Sequence, residues 1–361
     1  LCSALVRAGG SVEIVTTDDN GPGRLEVSHN EPIEQDGVVY RYFPRATHFY
    51  TFCPALKRWL HDHIDGYDLI HVHALFSHPS ITGCRTAQRR DIPYLIRPLG
   101  TLDRWGRSRR ATLKKISLAA LERRLVRGAA AVQFTSEKER VESEEIVSPR
   151  RSVVIPNAVP LYEPVSTPAA IGAQFPRLEG RRFVLFLSRI DPKKGLDVLL
   201  EAYEAIALQG SADLVIAGDG DPRYLEKLRR LADNLGLTDR IHWVGFVNGS
   251  AKSTLLAKAE MLVLPSRSEN FGIAVAEALA SGTPVVVSDR VALAEEIERA
   301  GAGLVTTLEA NEVAEAMGEL LASQEKRQQM SGAARRLSAR FAPDRVAAEV
   351  KRLYESILGS G

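Results

Sequence analysis

The feature that most constrains this chain is a rhythm that runs through it twice. Short apolar runs of strand length alternate with longer helical stretches, stop at a proline-rich break, and start again. In the first half the runs are SVEIVTT, VVYRYFP, DLIHVHA, PYLIRPL, AAVQFTS and RSVVIPN. The helical stretches among them include CPALKRWLHDHI, HPSITGCRTAQRR and ATLKKISLAALERRLVRG. After the break come RFVLFLSRI, ADLVIAGDG, RIHWVGFV, AEMLVLPS, TPVVVSD and GAGLVTT. GLDVLLEAYEAIAL, PRYLEKLRRLADNLG, AKSTLLAKA and GIAVAEALASG separate them. Strands alternating with helices of this length build parallel sheets covered on both faces. The expected fold is α/β, with two doubly wound domains facing across a cleft, where such folds take ligands.

The break, residues 157–180, holds four prolines and little periodicity, and reads as a linker. It sets domains at 1–156 and 181–340, with a last segment at 341–361. A chain of 361 residues suits two domains. Val346, Val350, Leu353 and Ile357 place one apolar face on the final helix. LCSALVRAGG reads as the end of a helix and a glycine turn. A doubly wound domain starts with a strand before that helix, so a first strand is expected ahead of Leu1.

Composition excludes little, but usefully. The net charge of +2 demands no polyanionic partner, and no nucleic-acid reader module is present. Cys2, Cys53 and Cys84 make no CxxC pair, which fits a reducing compartment or burial. No apolar run reaches the length of a membrane span.

Several strand ends carry chemistry. In LSRIDPKKGLDVLL, Arg189 follows a strand, Asp191-Pro192 turns, and Lys194-Gly195 leads into a helix. A basic residue, a tight turn and a helix N-terminus suit a diphosphate; a solvated loop with ordinary salt bridges is the alternative. In DLVIAGDGDP, Gly218 and Gly220 allow close backbone approach to a ligand. The fuller GxGxxG fingerprint is absent, which counts against a nicotinamide enzyme. Gly245 in IHWVGFV is a ligand-side or a plain turn glycine.

The richest stretch is AEMLVLPSRSENFGIAVAEALASGTPVVVSD, residues 259–289. Glu269 precedes a small, apolar helix and Glu277 lies one turn inside it. Helix-start N–H groups are expected near Phe271, Gly272 and Ile273. A carboxylate accepts two hydroxyl donors, as in a ribose diol. The glutamates read as a sugar contact and a nucleoside contact around a phosphate seat, or as two surface acids.

In the first half, His71 and His73 end a strand. The reading sets them on opposite sides of it, one buried and His73 toward the ligand; a hydrogen-bonded structural histidine is the alternative. No nearby Cys, Asp or Glu completes a metal site. Arg97 and Gly100 close the next strand in IRPLGTLDRW. Residues 101–127 then carry nine Lys/Arg against two Asp/Glu, a local net charge of +7. Leu118, Leu121 and Leu125 share a helical face there, with Trp105 upstream. This region reads as a surface for anionic lipid or an anionic acceptor, or as a solvated basic face.

Taken in order, LSRIDPKKGLDVLL, LVIAGDG and PSRSENFGIAVAEALASGTPVV, preceded by IPNAV, resemble glycosyltransferase family 4. These are retaining enzymes with two Rossmann-like domains, the GT-B type. The resemblance covers essentially the whole chain apart from a missing start, and RPLGTLDRW is similar to members linked to exopolysaccharide or capsule assembly. It implies that Arg189 and Lys194 bind the donor diphosphate and stabilise the departing nucleotide. Glu269 would lie near the transferred sugar and Glu277 would hold the ribose hydroxyls. Phe271, Gly272 and Ile273 would add backbone contacts to the sugar and phosphate, and Gly245 and Phe246 would help frame the base. The final helix would cross back onto the first domain. The family's glycine-rich loop would precede Leu1. Its usual His-Gly is Leu99-Gly100 here, so the familiar donor-side histidine is missing and Arg97 would partly replace it; Arg97 and Gly100 are the candidates on the acceptor side. The common IPNG is IPNA.

The implied reaction moves a sugar from a nucleotide diphosphate sugar, UDP or GDP, to a hydroxyl of a glycan or lipid-linked acceptor. It would need neither cofactor nor metal, since Arg189, Lys194 and a helix N-terminus can carry the leaving charge. The acceptor would attack from the leaving-group face. The setting would be cytoplasmic, with 101–127 as a candidate for peripheral contact with an anionic inner membrane face. A nucleotide-sugar epimerase and a non-catalytic sugar-nucleotide-binding module are the rivals.

Overall fold

The structure is a computed structural model and describes residues 1–21, 23–102, 117–160, 169–207 and 212–359. It divides into two compact units, Leu1–Ala158 with Pro343–Gly361, and Val159–Ala342.

In chain order, the first unit's strands are β1 (Glu13–Thr17), β2 (Asp19–Asn20), β3 (Gly23–Arg24), β4 (Pro32–Gln35) and β5 (Val38–Phe43). Then come β6 (Ile70–His73), β7 (Tyr94–Arg97), β8 (Ala131–Phe134) and β9 (Ser152–Val154). They form a sheet of order β1-β5-β4, a sheet of order β6-β7-β8-β9, and the small hairpin β2-β3. β6 to β9 are all parallel, as is β1 to β5. β4 is the departure. It runs antiparallel to β5, is exposed along its length, and carries no apolar pattern to betray it. Its signal is the turn: Asp36 and Gly37 both have positive φ, 52° and 75°, as a two-residue Asp-Gly hairpin requires.

The second unit's strands are β10 (Phe183–Leu187), β11 (Asp213–Ala217), β12 (Ile241–Gly245), β13 (Met261–Leu264), β14 (Val285–Ser288) and β15 (Gly303–Thr306). Their order is β12-β11-β10-β13-β14-β15, with every neighbouring pair parallel. This is the doubly wound order of dinucleotide-binding folds, and its direction of winding reverses between β10 and β13. β10, β11, β13 and β14 are buried throughout. Their continuous Val, Leu, Ile and Phe runs follow from helices covering both faces.

The segment that reads as a linker contributes to this second unit. Ala169–Gln174 is a short helix, and Ile171 and Leu178 are buried in the unit's core; residues 161–168 lie outside the described residues. The helix Pro343–Leu358 belongs to the first unit. Its Val346, Val350, Leu353 and Ile357 are buried with Ala4, Leu5, Leu95 and Ile155. Of the basic stretch 101–127, residues 103–116, including Trp105, lie outside the described residues. Leu118 and Leu125 face the first unit's core, so that part of the leucine face is spent on packing. Arg123, Arg124 and Arg127 are exposed. Among the described residues, no helix is long and apolar enough to cross a membrane.

A single turn of π-helix, Leu118–Glu122, brings Glu122 to a fully buried position. Its Oε1 accepts from the Phe76 N–H and the Ser117 hydroxyl, both at 3.2 Å, while Oε2 has no hydrogen-bond partner among the described residues. Burial pushes its pKa up to about 7, against the smaller pull of those two bonds. The folded state therefore holds a proton that the unfolded chain releases near pH 4.5. Stability is greatest below that pH and falls as pH rises toward 7, by up to roughly 3 kcal/mol. Glu122→Gln is expected to flatten this slope, raising Tm at pH 8 more than at pH 5. Parallel Tm-against-pH curves for the two proteins would contradict it.

Candidate active site

In a doubly wound sheet, ligands bind outside the carboxyl ends of the strands where the winding reverses. Here that is the gap between β10 and β13, and the residues beyond those two strands are Arg189 to Lys194 and Ser266 to Gly272. After β10, Asp191 caps a single 3-10 turn, Pro192–Lys194, by accepting from the Lys193 N–H at 2.9 Å. Gly195 then turns left-handed, φ 68°, into the helix Leu196–Ala207. After β13, the chain loops to Gly272, whose φ of 88° opens the helix Ile273–Ser281.

These two loops are tied together. Arg267 forks onto Asp197 with bonds of 2.8 and 2.9 Å, and donates to the Pro192 carbonyl at 2.8 Å. Its own N–H donates to the Lys193 carbonyl at 2.8 Å. Burial works to raise the Asp197 pKa, but the Arg267 fork outweighs it and holds the carboxyl below its usual value. The consequence is an ion pair across the switch point. The Lys194 ammonium bonds Glu269 Oε2, with 12% and 14% of the two side chains exposed. Glu269 is fixed from its other side as well. Its N–H donates to the Arg290 carbonyl at 3.2 Å, and its carbonyl accepts from the Ala292 N–H at 3.1 Å.

Glu277 lies on the helix Ile273–Ser281 and is 6% exposed. Its Oε1 accepts from Lys252 Nζ at 2.6 Å. Neither glutamate is thus a surface acid. Lys252 is the residue that the sequence does not point to; it comes from the neighbouring helix Gly249–Lys258. The Phe271 side chain is 2% exposed and packs edge-on against Phe341 at 5.4 Å. Only its backbone is left for a ligand. Ile273 and Phe246 are exposed, at 54% and 70%.

The strand-end glycines divide. A Cβ on Gly218 would fall well inside the van der Waals contact of the Ser188 carbonyl oxygen, and one on Gly220 would meet the Ile190 carbonyl. Their close approach is to protein backbone, not to a ligand. It lets the segment after β10 run alongside the one after β11, with Ser188 N–H to the Ala217 carbonyl at 3.1 Å and Ile190 N–H to the Asp219 carbonyl at 2.8 Å. Arg189 sits between those two anchored residues and is itself exposed. Gly245, with φ 71°, faces open space, and a Cβ there would have nothing within 4 Å.

The first unit gathers a second set. His73 and Arg97 are register partners at the ends of β6 and β7. The rings of His71 and His73 lie 4.6 Å apart, on the same side of the strand. The opposite-face expectation fails because residues two apart share a face of a pleated strand. His71 Nδ1 meets the Tyr354 hydroxyl at 2.7 Å. His73 is exposed at the strand end, and desolvation by the protein around its ring, and then the Arg97 charge, lower its pKa to about 4. His71 is lowered well below its ordinary value, by burial first. Both are neutral at pH 7. Gly100 proves to be an anchor, since its N–H donates to the buried Glu139 carboxylate at 2.6 Å.

Two Rossmann-like α/β units, the second with cationic and carboxylate side chains at its switch point, are the build of the GT-B class of glycosyltransferase. The chain is in fact composed of two glycosyltransferase domains: residues 1–158 match the Glycosyl transferase 4-like domain, and residues 170–337 match Glycosyl transferases group 1. Phosphatidyl-myo-inositol mannosyltransferase of Mycobacterium leprae is 34% identical over 58% of this chain and 55% of its own length. The chain spans between a third and just over half of the first curated relatives it matches. Among solved structures, sucrose-phosphate synthase from Thermosynechococcus elongatus aligns with a TM-score of 0.79 at 23% identity, over 100% of this chain and 92% of that one. Anabaena HepE in complex with UDP and glucose aligns with a TM-score of 0.75 at 20% identity, over 89% and 87%. At these identities the two structures establish the fold.

Proposed function

We propose that the protein transfers a sugar, with retention, from a nucleotide diphosphate sugar to a hydroxyl of a glycan or lipid-linked acceptor. The observation that carries this is the Lys194–Glu269 ion pair across the β10–β13 switch point, beside the N-terminus of the helix Ile273–Ser281. Lys194 and Arg189 would bind the diphosphate, and the helix N-terminus would add N–H donors. As the glycosidic bond breaks, charge grows on the β-phosphate oxygen, and these groups would stabilise it. Glu269 would accept sugar hydroxyls while holding Lys194 in place. Glu277, steadied by Lys252, would accept the ribose diol. The acceptor hydroxyl would attack from the face of the departing phosphate, whose oxygen takes its proton. The family matches support the reading, as does the UDP and glucose bound to HepE.

The test is a thermal-shift screen of UDP and GDP sugars, followed by transfer assays with the best donor. At least one nucleotide sugar is expected to raise Tm, and the corresponding nucleoside diphosphate to be released only when an acceptor is present. No stabilisation by any donor would sink the reading. Conversion of the donor to its epimer without acceptor would make the chain an epimerase, and stabilisation without any turnover would make it a binding module.

A further inference from the structure

Arg97 is 5% exposed, and a buried guanidinium needs acceptors. Among the described residues it makes one side-chain hydrogen bond, donated from Nη2 to the neutral Asn157 Oδ1 at 2.6 Å. Its Nε is buried and has no partner among the described residues. The nearest carboxylate by electrostatic influence, Glu139, gives it no hydrogen bond. Both Glu139 oxygens are spent elsewhere, Oε1 on the Gly100 N–H and Oε2 on the N–H and hydroxyl of Thr135, at 2.6, 2.7 and 2.8 Å.

A second unpartnered group lies on the adjacent strand and on the same face. His71 Nε2 is buried with no partner among the described residues, while Nδ1 faces the Tyr354 hydroxyl. With that hydroxyl donating to Nδ1, Nε2 carries the proton and needs an acceptor. His73, whose ring is 4.6 Å from that of His71, is exposed at the strand end and opens the set to solvent. The site thus holds a cation with no hydrogen bond to a carboxylate among the described residues, and unspent N–H donors from two strands. Donors on separate elements suit the several oxygens of a phosphate better than the single edge of a carboxylate.

We propose that Arg97, His71 and His73 form a phosphate seat in the first unit, and that the acceptor carries the phosphate. The second half of the proposal rests on the reading of the chain as a glycosyltransferase. Arg97 supplies the charge, Asn157 orients its guanidinium, and the two neutral imidazoles donate to the remaining oxygens. The phosphate is either that of a soluble phosphomonoester or that of a lipid headgroup.

The experiment titrates the full chain, saturated with UDP or GDP, with inorganic phosphate, with acetate, and with phosphatidylcholine vesicles with or without phosphatidate. Calorimetry or flotation reads binding, and the imidazole NMR signals of His71 and His73 read location. Phosphate or phosphatidate is expected to bind, to move both imidazole signals, and to lose affinity about tenfold or more in Arg97→Gln. Binding of inorganic phosphate assigns a soluble source; binding of phosphatidate vesicles alone assigns a lipid. Failure of the wild-type chain to bind either, unmoved histidine signals, acetate bound as tightly as phosphate, or undiminished binding in Arg97→Gln overturns the seat. The wild-type signals keep the test valid if Arg97→Gln folds poorly. Phosphate binding without any nucleotide binding would overturn the transferase reading and leave the seat standing.

Discussion

Glu269→Gln is expected to lower kcat for transfer about a hundredfold or more while leaving the Kd for the nucleoside diphosphate within a few-fold. The amide keeps the shape of the carboxylate but not its charge. Glu269 bonds the Lys194 ammonium directly, and both are mostly shielded from water. Removing the negative charge frees Lys194 to bind the diphosphate as tightly as before. It also removes the acceptor that would stabilise positive character on the sugar and hold Lys194 at the angle the leaving oxygen needs. Lys194→Ala should behave differently. It would delete the proposed phosphate contact in the ground state and the transition state alike, and it strands Glu269 without its Lys194 partner. Donor affinity and transfer should therefore fall together, donor affinity by about tenfold or more. Calorimetry with the nucleoside diphosphate and steady-state transfer rates separate the two outcomes. A Glu269→Gln enzyme with unchanged kcat would remove Glu269 from the site.

That contrast depends on contacts that no local pattern contains. The strands of the second unit are legible because burial on both faces leaves continuous apolar runs such as FVLFL and DLVIA. The loop residues Arg189, Lys194 and Glu269 are legible because they follow those runs. Their pairing is not. Lys194 and Glu269 are far apart in sequence and meet only because β10 and β13 are neighbours in the sheet. Lys252 escapes for the same reason: its partner Glu277 is on another helix, and nothing in AKSTLLAKA marks one lysine above the other. The helix Ala310–Ala322 is a different kind of omission. Its buried Val313, Met317, Leu320 and Leu321 recur at helical spacing, a signal the sequence does carry. β4 has only its Asp-Gly turn to announce it. The histidine pair fails on geometry that is general to strands, not particular to this chain.

The glycines give the sharpest separation of roles, and it is measurable. Gly218→Ala is expected to destabilise the protein by about 4 kcal/mol or more, enough to lower Tm by roughly ten degrees. Gly245→Ala, one strand over, is expected to cost about 1 kcal/mol. Both glycines have positive φ, 148° and 71°, so a side chain strains the backbone at either. Only at Gly218 does the new methyl also meet something immovable. The obstacle is the Ser188 carbonyl, part of the chain that is bonded to Ala217 and Asp219 and carries Arg189 between its anchors. A flexible side chain could move aside; a carbonyl held in the sheet can do so only by pulling β10 from β11. At Gly245 the methyl points into open space. Should any Gly218→Ala protein fold, Arg189 would be displaced, and nucleoside diphosphate affinity should fall with stability. Gly245→Ala should instead fold normally and lose nucleotide affinity only to the extent that its methyl crowds the base. Urea unfolding and nucleotide titration on both variants check this. Equal losses of stability would mean that strain at positive φ, and not the contact with Ser188, decides the cost at Gly218.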